Sequence, residues 1–167
     1  GLGDVYKRQA PSGAQASPQA ESGVVTTPLP TRRFGRTELA MPVLSLGGMR
    51  FQQSWSDLPA EQISDESQAN LLRTLQRAVD HGFHHVETAR HYGSSERQLG
   101  WALPDSPDPH RILQSKVPPH DDPKEFENLL SLTFERLGCD RLELLAIHGI
   151  NQPRHLCLLY TSDAADD

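Results

Sequence analysis

Disulfides cannot be what holds this chain together. It has two cysteines in 167 residues, too few for the cross-linked framework of a small secreted domain. Long apolar runs are missing as well; no stretch approaches the roughly 18 residues that a membrane-spanning helix needs. Basic charge is in deficit, with 16 Lys and Arg against 22 Asp and Glu and a formal net charge of −6. A nucleic-acid partner would need a basic face, so neither nucleic acid nor membrane is expected as a partner. Aromatics make up only 6% of the chain, and its 12 glycines follow no collagen-like period. What remains is the composition of one soluble domain, 36% hydrophobic and 23% charged. A chain of this size can bury about 70% of the surface it exposes when unfolded. Its 13 prolines and mean hydropathy of −0.56 leave part of it outside the core.

The two ends read as foreign to the fold and are set aside. GLGDVYKRQ, Gly1–Gln9, is encoded by GGG CTC GGA GAT GTG TAT AAG AGA CAG, which resembles a common transposon-type sequencing adapter. CLLYTSDAADD, Cys157–Asp167, resembles the reverse complement of the partner adapter. Matches at both ends, in the fitting orientations, point to an insert of Ala10–Leu156 whose own C-terminus lies further on. The first segment carries a charge of +1 and the last −3, which leaves −4 for the insert. Only Cys139 then remains as a thiol, which suits a reducing cytoplasm, the expected location. It follows Gly138 with no histidine beside it, so no catalytic part is expected of it. Ala10–Pro30 is rich in Ala, Ser, Gln, Gly and Pro. It lacks the apolar stretch and basic start of a signal peptide and reads as a disordered leader. No repeat is visible at periods of 20 to 50 residues.

Order is expected over residues 31–156. TRRFGRTELAMPVLSLGGMRF reads as a short hairpin, with Phe34, Leu39 and Met41 as its apolar points, followed by a buried strand over Val43–Leu46 that Gly47 and Gly48 end. Gln52–Ile63 reads as a loop. Asp65 is expected to cap a helix in a capping box with Gln68; Leu71, Leu72, Leu75, Ala78 and Val79 share one face of it, and Gly82 stops it. Phe83–Thr88 reads as a strand, followed by a loop around Tyr92. A short helix capped by Ser94 carries Leu99, Trp101 and Leu103. Arg111–Val117 reads as a third strand. Asp122-Pro123-Lys124-Glu125 combines a cap, a first-turn proline and an acid; Phe126, Leu129, Leu130, Phe134 and Leu137 form the buried face of the helix it opens, and Gly138 ends it. Leu142–Ile147 is a fourth strand. The order βαβαβαβ suits either a doubly wound sheet or a (β/α)₈ barrel, which needs about 250 residues. Spacing alone does not choose between them.

Parallel α/β folds carry their sites at the C-terminal ends of the strands. Here those ends deliver Gly47-Gly48-Met49-Arg50, then Glu87 with Tyr92 five residues on, then Lys116, then His148. Taken singly, each has an ordinary structural explanation; on successive strands of one rim they form a set. A tyrosine hydroxyl, with an unperturbed pKa near 10, is a slow acid at neutral pH. A neighbouring ammonium favours the tyrosinate form, a carboxylate keeps that ammonium charged and oriented, and an imidazole can donate to a carbonyl oxygen as charge develops. Together they would protonate a carbonyl, with tyrosine as general acid.

HVETARHYGSSERQLGWAL, ILQSKVPP and LLAIHGI resemble the aldo-keto reductase superfamily, and FGRTELAMPVLSLGGMRF resembles its opening hairpin and first strand. The resemblance spans about Arg32–Asn151. It implies an α/β fold: the N-terminal half of a (β/α)₈ TIM barrel, strands one to four, with a hairpin closing the barrel bottom. It also implies reduction of aldehydes and ketones by hydride transfer from NADP(H) or NAD(H) to a small carbonyl substrate. Tyr92 falls on the family's general acid, Lys116 on the lysine that tunes it, His148 on the carbonyl-orienting histidine, and Glu87 on the aspartate that pairs with the lysine. Gly48, Met49 and Arg50, with Glu87, are the expected cofactor-binding residues of this half.

There are two departures from the family. Glu87 replaces aspartate and adds a methylene, which can shift a carboxylate by about 1 Å in a tuned site. The ETA-x-x-YG-x-SE form resembles a divergent bacterial branch, some members of which carry a C-terminal iron–sulfur segment. Strands five to eight are absent, and in the family they supply most of the cofactor site, so the complete gene is expected to encode the oxidoreductase while this chain alone is inactive. Two rivals stand beside that reading. Glu87 leans toward a non-catalytic, cofactor-binding sensor or subunit of the same fold. His84, His85, His91 and His148 suggest a metal-dependent barrel hydrolase, although adjacent His84 and His85 face opposite ways on a strand and Lys116 would repel a cation. No metal is expected.

Overall fold

A computed structural model describes residues 29–155. The adapter-like segments and nearly all of the leader lie outside the described residues. The first ordered unit is an antiparallel hairpin, β1 (Thr31–Arg33) and β2 (Ala40–Pro42), with Arg32 opposite Met41. Arg33 and Glu38 pair across its turn. Phe34, expected as an apolar anchor, is exposed.

Four parallel strands follow in sequence order: β3 (Leu46–Gly47), β4 (His85–Glu87), β5 (Ile112–Val117) and β6 (Leu144–Ile147). The helices α1 (Asp65–Asp80), α2 (Ser95–Ala102) and α3 (Pro123–Leu137) connect them. This is an α/β fold with the strand order of a barrel wall, a part of a (β/α) barrel. β5, six residues long, is the longest strand and pairs with β4 on one side and β6 on the other.

Several elements differ from expectation. The strand expected at Val43–Leu46 is reduced to Leu46–Gly47, and Val43 and Leu44 are 49% and 51% exposed. Val43 N–H donates to Pro30 O and so continues the hairpin, not the sheet, and β3 has only β4 as a neighbour. The cap of α1 is Ser64, not Asp65: its side chain accepts from Ser67 N. Gln68 makes no capping box, because its side-chain amide donates to Gln98 O. Phe83 lies outside β4, just past the turn that ends α1, where its N–H closes on Ala78 O and Gly82 takes a φ of +78°, the left-handed stop that favours glycine. Ser94 sits at the start of α2 without capping it; its hydroxyl donates to Gln98 instead. On α3, Asp122 caps as expected, but the most buried residues are Thr133 and Leu137 while Phe126, Leu129, Leu130 and Phe134 are half-buried.

The core lies between the sheet and the helices. Leu71 and Leu75 of α1, Leu99 and Ala102 of α2 and Leu137 of α3 close on Val86 and Leu113. Alternation along a strand sends every second residue to the opposite side. Val86 and Leu113 therefore point to the helices, while His85, Glu87, Gln114 and Lys116 point to the other face, the interior of the barrel wall.

Candidate active site

The C-terminal ends of the four strands lie side by side, and Glu87, Tyr92, Lys116 and His148 come together there. Lys116 Nζ donates to the Tyr92 hydroxyl at 2.8 Å and forms an ion pair with Glu87. It also lies 4.8 Å from the centroid of the Tyr92 ring. The His148 ring meets the edge of the Tyr92 ring, centroids 5.5 Å apart at 85°, and His91 stands 5.7 Å away on another side.

Each side chain arrives there for a local reason. Glu87 is registered with Gly47 and with Gln114, two residues before Lys116, so its carboxylate must lean toward the strand end to reach the ammonium. Past Glu87 the chain stays on β5, with Thr88 N donating to Gln114 O and Arg90 N to Lys116 O, both at 2.9 Å. It then turns sharply, Tyr92 N to Ala89 O and Ser95 N to Tyr92 O, both at 3.0 Å. Gly93 sits in that turn at a φ of +54°, and a Cβ there would meet Ser54 O at 1.9 Å; only glycine lets the 52–59 loop lie against the tyrosine loop. His148 N donates to Val117 O at 2.8 Å, which carries the sheet one residue past β6.

The electrostatics follow from this packing. Burial pulls the Lys116 pKa down, but hydrogen bonds to Glu87 and Tyr92 and their charges outweigh it and hold the pKa above the ordinary lysine value. The group is therefore an ammonium at neutral pH. His148 is pushed below the ordinary histidine value, first by burial and then by the charges of Lys116 and His91, against Glu87. It is a neutral imidazole there, and its Nδ1 is buried without a hydrogen-bond partner. One layer deeper, Ser45 Oγ donates to His85 Nδ1 at 2.7 Å and His85 Nε2 donates to Gln114 Oε1 at 2.9 Å. Burial lowers the His85 pKa, with Gln114 and Glu87 opposing.

The three residues after β3 divide in their surroundings. Gly48 is buried, and a Cβ on it would meet Glu87 O at 2.6 Å and Thr88 and Ser95 at 3.1 Å, so glycine is required there by packing. Met49 and Arg50 are exposed at the rim. The four histidines do not converge. His84 turns to the opposite face of β4 from His85 and bonds Asp108 at 2.9 Å, and among the described residues no three His, Cys, Asp or Glu are grouped to hold a metal ion. Cys139 is half-buried, and burial raises its thiol pKa.

The aldo/keto reductase family model matches residues 43–162, well over half of the chain. This chain belongs to the aldo/keto reductase family. Among solved structures it resembles a Pseudomonas aeruginosa protein described as an aldo-keto reductase, at 26% identity and a TM-score of 0.62, covering 86% of this chain and 57% of that one. It also resembles a thermostable aldo-keto reductase in complex with the inhibitor epalrestat, at 26% identity and a TM-score of 0.59, covering 78% and 48%. A third is an aldo/keto reductase from Klebsiella pneumoniae in complex with NADP and acetate, at 25% identity and a TM-score of 0.52, covering 71% and 39%. The chain thus spans roughly half the length of these structures. No curated protein sequence matches it.

Sequence reasoning gave no role to a set of buried polar groups behind the site: Thr88, Arg90, Ser95, Glu96, Gln98 and Ser115. Thr88 Oγ1 and Ser95 Oγ lie 2.8 Å apart, and Ser95 Oγ donates to Gly48 O at 2.9 Å. A signal for them existed. Ser95 and Gln98 share the helical face of Leu99 and Ala102, so a core-facing stripe with so few apolar members implied polar burial.

Proposed function

We propose that the complete protein reduces carbonyl compounds to alcohols, with Tyr92 as general acid. The contact between Lys116 Nζ and the Tyr92 hydroxyl at 2.8 Å carries this reading. As the phenol gives its proton to the carbonyl oxygen, the ammonium stabilises the phenolate left behind, in the manner of a preorganised donor. Glu87 keeps Lys116 charged and in place. His148 supplies a neutral N–H donor to the same oxygen, which orients the carbonyl and takes up part of its developing charge.

The rim also fits a nicotinamide cofactor, NADP(H) or NAD(H). His148 Nδ1 is a buried polar atom without a partner, and Met49 and Arg50 are exposed beside the site, Arg50 with no ion pair among the described residues. When bound, the nicotinamide supplies the hydride. Met49 and Arg50 would touch the cofactor at this half of the rim, with Gly48 shaping the turn that presents them and Glu87 lying beneath. Most of the cofactor site is assigned to further strands, so the chain by itself is proposed to be inactive. Its partner is a small carbonyl compound, and its proposed location is the cytoplasm. The Glu87–Lys116 ion pair favours the catalytic reading over a cofactor-binding sensor.

The test is Tyr92→Phe in the complete protein, followed by loss of nicotinamide absorbance with a panel of aldehydes and ketones. The expected result is a fall in kcat of about 10³-fold with cofactor affinity retained. A variant that reduces carbonyls at the parental rate would remove Tyr92 from the role.

A further inference from the structure

Glu96, which takes no part in the chemistry above, joins the loop that carries Tyr92 to the strand that carries Lys116. Its side chain is fully buried and forms an ion pair with Arg90 through one carboxylate oxygen. The other oxygen accepts from Ser115 Oγ at 2.6 Å. Arg90 lies two residues before Tyr92, and Ser115 immediately precedes Lys116. Arg90 also reaches Asp57 at 3.0 Å, and Asp57 takes Arg136 of α3 at 2.9 Å. The four groups are two cations and two anions, so the cluster is neutral.

We propose that Glu96 is a positioning residue: by tying Arg90 to Ser115 it fixes the separation of the Tyr92 hydroxyl from the Lys116 ammonium. Stability alone does not account for a carboxylate here. Burial works against its charge and pushes its pKa up, with Arg90 and Ser115 opposing, and a buried ion pair is weak evidence for stability. What the pair adds is geometry. Both of its anchors lie within two residues of the groups whose contact matters. That contact has little slack, since a displacement of about 1 Å takes a hydrogen bond beyond its working range and can lower a rate by up to about 10²-fold.

The inference rests on Tyr92 being the general acid, and the experiment separates the two claims. Ser115→Ala, Glu96→Gln and Tyr92→Phe are made in the complete protein, and kcat, carbonyl KM, cofactor Kd and melting temperature are measured for each. Ser115→Ala removes one tie and leaves the Arg90–Glu96 pair intact, so it tests the claim even where Glu96→Gln folds poorly. The expected result is a fall in kcat of about tenfold or more in Ser115→Ala, with KM and Kd within about twofold of the parent. A parental kcat in Ser115→Ala overturns the proposal. So does a loss in which kcat, cofactor affinity and melting temperature all fall together, because that marks a purely structural role. If Tyr92→Phe keeps the parental kcat, the acid assignment itself fails and the positioning claim falls with it. If Tyr92→Phe is inactive while Ser115→Ala is unimpaired, only the positioning claim falls.

Discussion

On the helix side of the four-stranded sheet, Leu71, Leu75, Val86, Leu99 and Leu137 are at most 1% exposed. On the opposite side, Glu87 and Lys116 keep 20% and 21% of their side-chain surface open to solvent. The two faces are made from the same strands, one residue apart, yet they do different work. The helix face is closed by apolar contact, which is non-directional and tolerates no gap. The inner face is closed by directional contacts between charged and polar groups, and it is kept where solvent and a ligand can reach it. Stability is therefore expected to reside in the first face and reactivity in the second, with the Arg90–Glu96 pair behind the site as the place where they meet.

The hardest blow to that division is Leu75→Ala. Leu75 is fully buried among the residues of the helix-side core, and truncation of such a leucine costs about 3 kcal/mol through lost transfer energy and the cavity left behind. Denaturant unfolding of the complete protein should show that loss. Activity per folded molecule should stay at the parental level, because Leu75 belongs to the helix-side core and not to the rim. A folded Leu75→Ala protein with strongly reduced kcat would show that the faces are not independent.

Changes at Glu87 sharpen the same comparison from the other side. Glu87→Gln removes the anion that helps hold Lys116 above the ordinary lysine value. The expected effect is a fall in kcat of about tenfold to a hundredfold, with little change in unfolding midpoint because the pair is partly solvated. Glu87→Asp keeps the charge and loses reach, so its effect on kcat should be the smaller of the two. Steady-state kinetics and a melt on the same samples decide the matter. An unchanged kcat in Glu87→Gln would leave Lys116 without need of its carboxylate.

The two faces also differed in how well the sequence revealed them. The helix-side core was legible because its signals are periodic: Leu71, Leu75 and Ala78 recur at helical spacing in α1. The rim was legible because Glu87, Lys116 and His148 sit at the expected strand ends, and because the motifs around Tyr92, Lys116 and His148 resemble a known family. The extent of β3 was not. An apolar run such as Val43–Leu46 has the same composition whether it pairs in a sheet or continues a hairpin, and the Val43 N to Pro30 O hydrogen bond decided between them. The cap of α1 shifted by one residue because Ser64 and Asp65 are both good capping types. The polar layer behind Tyr92 was missed for a different reason. Its partners Asp57, Arg90, Glu96, Ser115 and Arg136 are scattered along the sequence, and only the packing of α2 and α3 on the sheet brings them together. There Gly100 lies so near α3 that a Cβ would meet Arg136 O at 2.3 Å.

The smallest effect expected is also the one that asks whether the inner face carries any stability. His85 is buried below the rim between Ser45 and Gln114, and burial holds its pKa below the ordinary histidine value of about 6.5. Its protonated form is disfavoured in the folded chain, so below that value the unfolded chain binds the extra proton. Stability should therefore be fully present above about pH 6.5 and decline as pH falls through the folded value. His85→Gln keeps a group that can accept from Ser45 and donate to Gln114, and it removes the titration. The difference in unfolding free energy between parent and variant, followed from pH 7.5 to about 5.5, should shift in favour of the variant on acidification. Glu96, shifted upward by burial, has the opposite sign, losing its contribution as pH rises, but it is present in both proteins and cancels. So does His148, which shifts in the same direction as His85. A difference that stays flat across this range would mean that His85 titrates alike in both states, and that the inner face beneath the site is wetter than its packing implies.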